Sequence, residues 1–238
     1  MNLKQLWKQF DKDAEACYSK WNGEIRMDWS DDEIRTWQKA YETVKAILAA
    51  GREKDPAFCR EMKDLDEGTA YAHDLGTWME DYLDVLDMAE AYQELLGSLD
   101  ELLALFDWKE VPATDLKMLR TIVLGRLGRH EEAWEYACVW QKEEPEDPAA
   151  VSACVYASIP GQQWDSAEKL LSEHLPEDAE CTEDNELLFR AKQALRHAQG
   201  REEEARGIEE KLSVLEEKIL SELNGLFDGD FELDEIPF

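Results

Sequence analysis

A short segment recurs three times in the second half of the chain, and it constrains the fold more than any other feature of the sequence. Residues 128–134, 162–168 and 200–205 align, and each copy carries an alanine at the same place. The second alanine follows the first by 34 positions and the third follows the second by 38; they are Ala133, Ala167 and Ala205. Periods of this length are typical of stacked supersecondary units. We therefore expect each unit to be two helices joined by a tight turn, where the small alanine allows the helices to approach closely.

The first copy resembles the tetratricopeptide repeat, a helix–turn–helix unit of about 34 residues. Gly128, Ala133 and Pro145 have the spacing of that family's turn glycine, close-packing alanine and terminating proline. The resemblance covers residues 114 to about 213 in three units. It implies an all-α fold, a right-handed array of antiparallel helical hairpins whose first helices line a concave groove for a peptide or a helix. Positions that are usually small in the family are occupied here by Thr121, Val155, Gln193, Trp140, His174 and Leu212.

Apolar residues at helical spacing continue over the rest of the chain, and three regions are predicted from them. Residues 1–112 are expected to form N-terminal helical hairpins, and residues 113–223 about three repeats with a long C-terminal capping helix. The apolar seam of that helix either caps the array or joins two copies, so we expect a monomer or a homodimer. Residues 224–238 form an acidic–hydrophobic tail, which acts as a disordered interaction motif or, as we favour, docks on the body. The seam consists of Ala205, Ile208, Leu212, Leu215 and Ile219.

Three helix starts are predicted from capping boxes, in which a Ser or Thr precedes a Glu by three positions. The pairs are Ser30 with Glu33, Thr77 with Glu80, and Ser98 with Glu101. Gly51 is expected to end the helix that begins after Ser30. Residues 57–75 are expected to form a bent or interrupted helix, because their apolar pattern is less regular.

The chain is strongly acidic, with 56 Asp and Glu residues against 26 Lys and Arg and a formal net charge of −30. Proteins bind nucleic acid and anionic lipid through Lys and Arg, so we expect neither as a partner. Long-range electrostatics favour a cationic protein instead, although the charge can also serve solubility alone. The five cysteines lack CxxC spacing, and no apolar run reaches the roughly 20 residues of a membrane span. These features indicate a soluble cytoplasmic protein with free thiols.

Two apparent metal motifs are incomplete. His130 and Glu131 begin a zinc-protease HExxH pattern, but Trp134 stands where the second histidine should be. The alternating acids from Asp228 to Asp234 lack the central glycine and the final glutamate of a calcium loop. We therefore expect no metal and no cofactor.

Positive charge is concentrated in residues 115–130 and 187–201, which are first helices of the proposed repeats with their turns. The resemblance places a peptide-binding groove on these helices. We expect Arg126 and Arg190 to bind carboxylates of an acidic or C-terminal peptide, with Tyr156 packing beneath it. The alternative is that both arginines pair with the chain's own glutamates. The predicted groove residues are Met118, Ile122, Arg126, Tyr156, Arg190 and His197.

Two functions fit this sequence. The first is a non-enzymatic scaffold or adaptor that binds a protein or peptide partner in the concave groove through a few buried anchors. The second is an acidic inhibitor that covers a basic surface of its partner. A third class, an enzyme built within residues 57–112, requires His73 and Asp74 to lie together in a deep pocket with other polar groups.

Overall fold

The regular structure is helical throughout the part of the chain that is described. The computed structural model describes residues 1–21 and 23–227, and it has no β-strand within them. The prediction of an all-α fold is therefore confirmed. The helices are α1 Leu3–Tyr18, α2 Asp31–Lys54, α3 Asp64–Glu67, α4 Leu75–Met88, α5 Tyr92–Leu105, α6 Thr114–Arg126, α7 His130–Glu143, α8 Pro148–Ser158, α9 Trp164–His174, α10 Glu186–Ala198 and α11 Glu202–Phe227.

The chain divides into two compact units between Leu127 and Gly128. The first unit, Met1–Leu127, contains α1 to α6, and the second begins at Gly128 and contains α7 to α11. The sequence analysis placed the boundary after residue 112, whereas α6 packs on α5 and belongs to the first unit. The division thus falls at the predicted turn of the first repeat. The expectations for residues 228–238, including the docking of the tail, lie outside the described residues.

Large aromatic side chains form the centre of the first unit. The rings of Trp37 and Trp78 stack with centroids 5.7 Å apart, and Trp78 stacks on Tyr82 at 5.5 Å. Tyr82 also stacks on Tyr41, with centroids 5.0 Å apart. These rings come from α2 and α4, and each of the four side chains is almost completely buried. Because a buried aromatic side chain removes a large apolar area from water, this cluster contributes strongly to the stability of the first unit.

One of the three predicted capping boxes is present. The Ser30 side chain accepts from the Glu33 amide, and the Glu33 side chain accepts from the Ser30 amide. The Ser30 hydroxyl also donates to the Glu33 carboxylate at 2.6 Å, and this bond, the one from the Ser30 amide and the contact with Arg26 lower the pKa of Glu33 to about 2. The start of α2 is therefore set by local sequence, as predicted.

The other two predicted helix starts are wrong. Helix α4 begins at Leu75, and the Asp66 carboxylate accepts from the amides of Leu75 and Gly76 at 2.7 and 2.8 Å. A side chain nine residues upstream thus satisfies the first amides, and Thr77 is not needed as a cap. Ser98 lies inside α5, where its hydroxyl is 2.8 Å from that of Tyr82.

Gly51 does not end α2, which continues to Lys54. A Cβ atom at position 51 would lie 2.1 Å from a ring carbon of Phe58, so only glycine allows the ring to pack there. Within residues 57–74 the only helix is the four-residue α3, and Leu75 begins α4. Four residues of this segment have positive φ, which prevents a longer helix.

Small side chains form much of the core of the second unit. Ala133, Ala167 and Ala205, the repeated alanines, are 2%, 1% and 0% exposed. Helix α8 packs on α7, α9 and α10, and α10 packs on α9 and α11. Because alanine has the shortest side chain that still favours a helix, its recurrence allows the helices to pack closely.

A tight turn with one left-handed residue precedes α7, α9 and α11. Gly128, Gln162 and Gly200, which the sequence alignment places at equivalent positions, have φ of 72°, 52° and 72°. The Gly200 amide donates to the His197 carbonyl and the Arg201 amide to that of Arg196, and the turn at Gln162 has the same two hydrogen bonds. A left-handed residue at a helix end is usually glycine, because glycine has no Cβ atom that would clash, and this explains Gly128 and Gly200. Gln162 adopts the same conformation at a steric cost.

The same turn occurs between α4 and α5, where the sequence analysis aligned no motif. Glu90 has φ of 53°, and its amide and that of Ala91 donate to the carbonyls of Asp87 and Leu86. Leu95 stands where the repeated alanines stand, five positions after the left-handed residue, and it is completely buried. The turn geometry is therefore common to both units although the residues differ.

Candidate functional site

Three of the predicted groove residues lie on α6 in the first unit. Met118, Ile122 and Arg126 follow at intervals of four and therefore share one face of the helix. Ile122 is 41% exposed and Met118 is half-buried. Arg126 forms an ion pair with Asp87 and donates to the Tyr92 hydroxyl at 3.3 Å. Its guanidinium is therefore already bound to a carboxylate of its own unit.

The other three lie in the second unit, on α8 and α10. Arg190 Nε is 2.7 Å from Glu186 Oε1, and its Nη2 is 2.9 Å from Glu216 Oε1. Tyr156 packs against a cluster that includes Ala191 and Leu195 of α10. Burial raises the pKa of Tyr156, and the positive charge of Arg190 opposes this effect. His197 is bound to Glu202, with Nδ1 2.9 Å from Oε2.

Both predicted arginine anchors are thus bound to acidic residues of the chain. An acidic peptide would have to displace Asp87 from Arg126, or Glu186 and Glu216 from Arg190. Each such exchange replaces one ion pair with another and gains little free energy at an exposed site. Because three residues lie in each unit, their assembly into one groove stays a prediction.

The sequence analysis missed a cavity of about 290 Å³ in the first unit, the α4–α6 pocket. It lies between α4 and α6 and is closed by the segments around Met62 and Trp108. Its apolar lining consists of Met62, Met79, Leu83, Trp108, Val111, Pro112, Ala113, Leu116 and Leu119. Glu80, Asp84 and Asp115 are the acidic residues of the lining, and all three are exposed. Periodicity alone could have placed Leu116 and Leu119 on one face of α6, but not opposite α4.

Partly buried polar contacts hold the two segments that flank the pocket. Arg52 Nη2 donates to the carbonyls of Cys59 and Leu105, both at 2.7 Å. The Asp107 amide donates to the Arg60 carbonyl at 2.8 Å, and Glu61 accepts from the Lys109 amide at 3.1 Å. Residues 59–61 and 105–109 are thereby joined, so Met62 and Trp108 are held on either side of the cavity.

The negative charge of the α4–α6 pocket is not compensated within the first unit. Among the described residues, Glu80, Asp84 and Asp115 have no ion pair and no side-chain hydrogen bond. Desolvation of the Asp84 carboxyl, together with repulsion from Asp81 and Asp87, raises its pKa. An added positive charge at this position would relieve that repulsion and lower the pKa again.

A larger open cavity of about 560 Å³ lies elsewhere in the first unit, and most of its charged residues form ion pairs. Lys45 bridges Glu42 and Glu101 at 2.7 and 2.8 Å. Lys39 binds the buried Asp13 at 2.6 Å, and this contact contributes to the lowered pKa of Asp13. A charged ligand would therefore compete with ion pairs that already exist.

The residues considered for chemistry are not assembled into a recognisable catalytic centre. His73 Nδ1 is 2.5 Å from Asp11 and the ring stacks on Trp7, so His73 is paired with Asp11 and not with its neighbour Asp74. Burial raises the pKa of Cys17 to about 12 and of Cys59 to about 11, so neither is a thiolate at neutral pH. No group of three His, Cys, Asp or Glu side chains suited to a metal ion occurs among the residues that the structure describes.

No protein-family model matches the sequence, and no curated protein or solved structure matches it at a significant level. The resemblance to the tetratricopeptide repeat therefore depends on the repeated alanines and turns of the chain itself. Within the described ranges, no helix has both the length and the apolar character needed to cross a membrane.

Proposed function

We propose that the protein is a non-enzymatic protein-binding module whose partner presents a basic segment. The observation that supports this proposal is that, among the described residues, the basic residues of the candidate sites have ion-pair partners, whereas the acidic residues of the α4–α6 pocket do not. Arg126 and Arg190 are already bound to carboxylates of the chain. By comparison, the acidic residues of the α4–α6 pocket have no cationic partner in the described structure.

A basic partner also agrees with the long-range electrostatics. A net charge of −30 attracts cationic surfaces over distances up to the Debye length, about 10 Å at 0.1 M salt, and raises the association rate. The same field repels an acidic peptide before it can contact an arginine. An acidic inhibitor that covers a basic surface, the second hypothesis from the sequence, is one form of this function.

An array of synthetic peptides tests the proposal. The peptides share one length, and their Lys/Arg content and Asp/Glu content vary independently. We expect retention of the full-length protein to rise with Lys and Arg content and to fall steeply as salt increases. Retention that is independent of peptide charge, or stronger on acidic peptides, would contradict the proposal.

A groove in a tetratricopeptide-like array is a second candidate, and the packing of α8 on α10 favours it. These are the first helices of two proposed repeats, and Tyr156 of α8 packs against a cluster that includes Ala191 and Leu195 of α10. The equivalent turns at Gln162 and Gly200 support an array of repeated hairpins in this unit. The double variant Arg126→Glu and Arg190→Glu should abolish binding of an acidic peptide if the groove binds one; unchanged affinity would exclude this mode. Binding through apolar groove contacts should respond little to salt.

We further propose that α11 caps the second unit. Support comes from its seam, since Ala205, Ile208, Leu212 and Leu215 are at most 7% exposed. Ile208 and Leu212 pack with Phe189 of α10 in one cluster. A seam that is occupied in this way favours a monomer over a homodimer through α11. The free cysteines support a cytoplasmic location, because free thiols are typical of reducing compartments.

A further inference from the structure

Building on the proposed function, we propose that the α4–α6 pocket binds one large apolar side chain of the partner, and that Lys or Arg residues flanking this anchor contact Glu80, Asp84 and Asp115. The occupant is thus a basic protein segment with a single Leu, Phe, Met or Trp anchor. Neither the cavity nor its acidic residues contribute to the groove predicted from the sequence.

The size and lining of the cavity fit an apolar side chain. Its volume of about 290 Å³ lies at the lower limit of the roughly 300–1,000 Å³ that small-molecule sites have. Met79, Leu83 and Leu119 present apolar surface to it, and Trp108 adds an aromatic ring. Two methionines in the lining add plasticity, because the unbranched thioether adapts to anchors of different shape.

Charge complementarity identifies the residues around the anchor. Glu80 and Asp84 are four positions apart on α4, so they lie on the same face of the helix, and Asp115 lies in the first turn of α6. These carboxylates would each contact a cation beside an apolar anchor. The positive charges near the pocket are already neutralised, since Lys63 is 2.5 Å from Glu110 and Lys109 is 2.8 Å from Asp107. A basic segment would therefore meet no repulsion from unpaired cations among these neighbours.

The fixed walls reduce the entropic cost of binding. Arg52 joins the carbonyls of Cys59 and Leu105, and Glu61 binds the Lys109 amide, so contacts within the first unit hold the segments on both sides of the cavity. Preorganised sites lose less conformational entropy when an anchor enters. This distinguishes the pocket from the larger open cavity, where a ligand would have to break the Lys45 bridge.

Short synthetic peptides with one central tryptophan flanked by lysines are the probes. We expect the full-length protein to bind the tryptophan peptide about thirtyfold more tightly than the same peptide with a central alanine, because a buried anchor contributes about 2 kcal/mol or more. The peptide with glutamates in place of the lysines should not bind. Fluorescence anisotropy of a labelled peptide measures these affinities.

The six methionines locate the bound peptide. With methyl-¹³C methionine, the signals of Met62 and Met79 should shift on binding, while that of Met27, which is 67% exposed and outside the pocket, should not. Met62→Leu and Met79→Leu assign the two signals. A shift of the Met118 signal without those of Met62 and Met79 would place the peptide on the predicted groove and overturn the pocket proposal.

Matched charge reversals test the acidic residues. The triple variant Glu80→Lys, Asp84→Lys and Asp115→Lys should weaken binding about tenfold beyond a control triple with the same change in net charge. The control exchanges Glu15, Glu53 and Glu90, which are exposed in the first unit, lie outside the pocket and have no ion pair in the described structure. If the lysine variant fails to fold, the triple of Glu80→Gln, Asp84→Asn and Asp115→Asn provides the same comparison with Glu15→Gln, Glu53→Gln and Glu90→Gln.

The outcomes separate this proposal from the proposed function. If lysine-rich peptides bind but the central residue has no effect and both triples weaken binding equally, the acidic module stands and the pocket proposal is wrong. If no lysine-flanked peptide binds at any salt concentration, both are wrong.

Discussion

The helices of the first unit pack around large aromatic side chains, whereas those of the second unit pack largely through alanine. Trp37, Trp78 and Tyr82 are nearly inaccessible at the centre of the first unit. In the second unit the equivalent interior positions include Ala153 and Ala191, both completely buried. Helices that pack through large rings can lie at varied distances and be joined by irregular segments such as residues 55–63. Helices that pack through alanine must lie close together at a fixed distance. The two units should therefore differ in which substitutions they tolerate.

The largest expected effect is the removal of an aromatic ring from the first unit. Trp78→Ala should lower the free energy of unfolding by about 3–5 kcal/mol, because it leaves a cavity among Phe10, Trp37 and Tyr82. Urea unfolding followed by far-UV circular dichroism measures the loss. Tyr71→Ala, which removes a ring that is 68% exposed, is the control and should change stability by less than about 0.5 kcal/mol. Similar losses for both variants would contradict an aromatic core in this unit.

The opposite substitution tests the second unit. Ala191→Leu should destabilise by about 1–3 kcal/mol, because the added atoms must enter a cluster that already contains Val155, Ala167 and Leu195. Ala198→Leu, at the exposed end of the same helix, should stay within about 0.5 kcal/mol. Thermal unfolding of both variants provides the comparison. A stabilising Ala191→Leu would mean that the alanines do not set the helix spacing.

The smallest effect concerns how helices begin in the two units. Glu33→Gln should lower stability at pH 7 by about 1 kcal/mol, because it weakens the capping box and the contact with Arg26. The pKa of Glu33 is lowered from 4.5 to about 2. The difference in unfolding free energy between the wild type and the variant should therefore have its full size above pH 4.5 and disappear as the pH falls to about 2. Urea unfolding at a series of pH values measures this window.

Glu203→Gln is the matched control for that variant. Glu203 lies in the first turn of α11 in the second unit and has no ion pair or side-chain hydrogen bond in the described structure. We expect its free energy of unfolding to change by only a few tenths of a kcal/mol at pH 7, because the variant loses only the interaction of the charge with the helix dipole. A loss as large as that of Glu33→Gln would show that the capping box adds nothing specific.

Local rules predicted some of these elements and failed at others for an identifiable reason. The start of α2 depends on Ser30 and Glu33, which lie within one helical turn, and it was predicted correctly. The start of α4 depends on Asp66, nine residues upstream, which the turns between α3 and α4 bring to the first amides. Gly51 looked like a helix end because its close approach to Phe58 is invisible in the sequence. In the second unit, Gln162 has the same left-handed conformation as the two glycines, and only the alignment indicated the turn.

The candidate sites, too, are predictable from the sequence only in part. The sequence gives the residue types and shared helix face of Met118, Ile122 and Arg126, but not the ion pair of Arg126 with Asp87 on another helix. It also contains every residue of the α4–α6 pocket without indicating that Met62, Met79 and Leu119 meet around one cavity.

The sequence by itself determined the helical class, the cap of α2, the recurring alanines and the acidic charge, because each depends on composition or on residues within a few positions of one another. Only the tertiary structure decided which charges are neutralised and where an apolar cavity remains, because both depend on side chains brought together from distant positions. Arg126 pairs with Asp87 of another helix, whereas the acids around the pocket have no ion pair among the described residues.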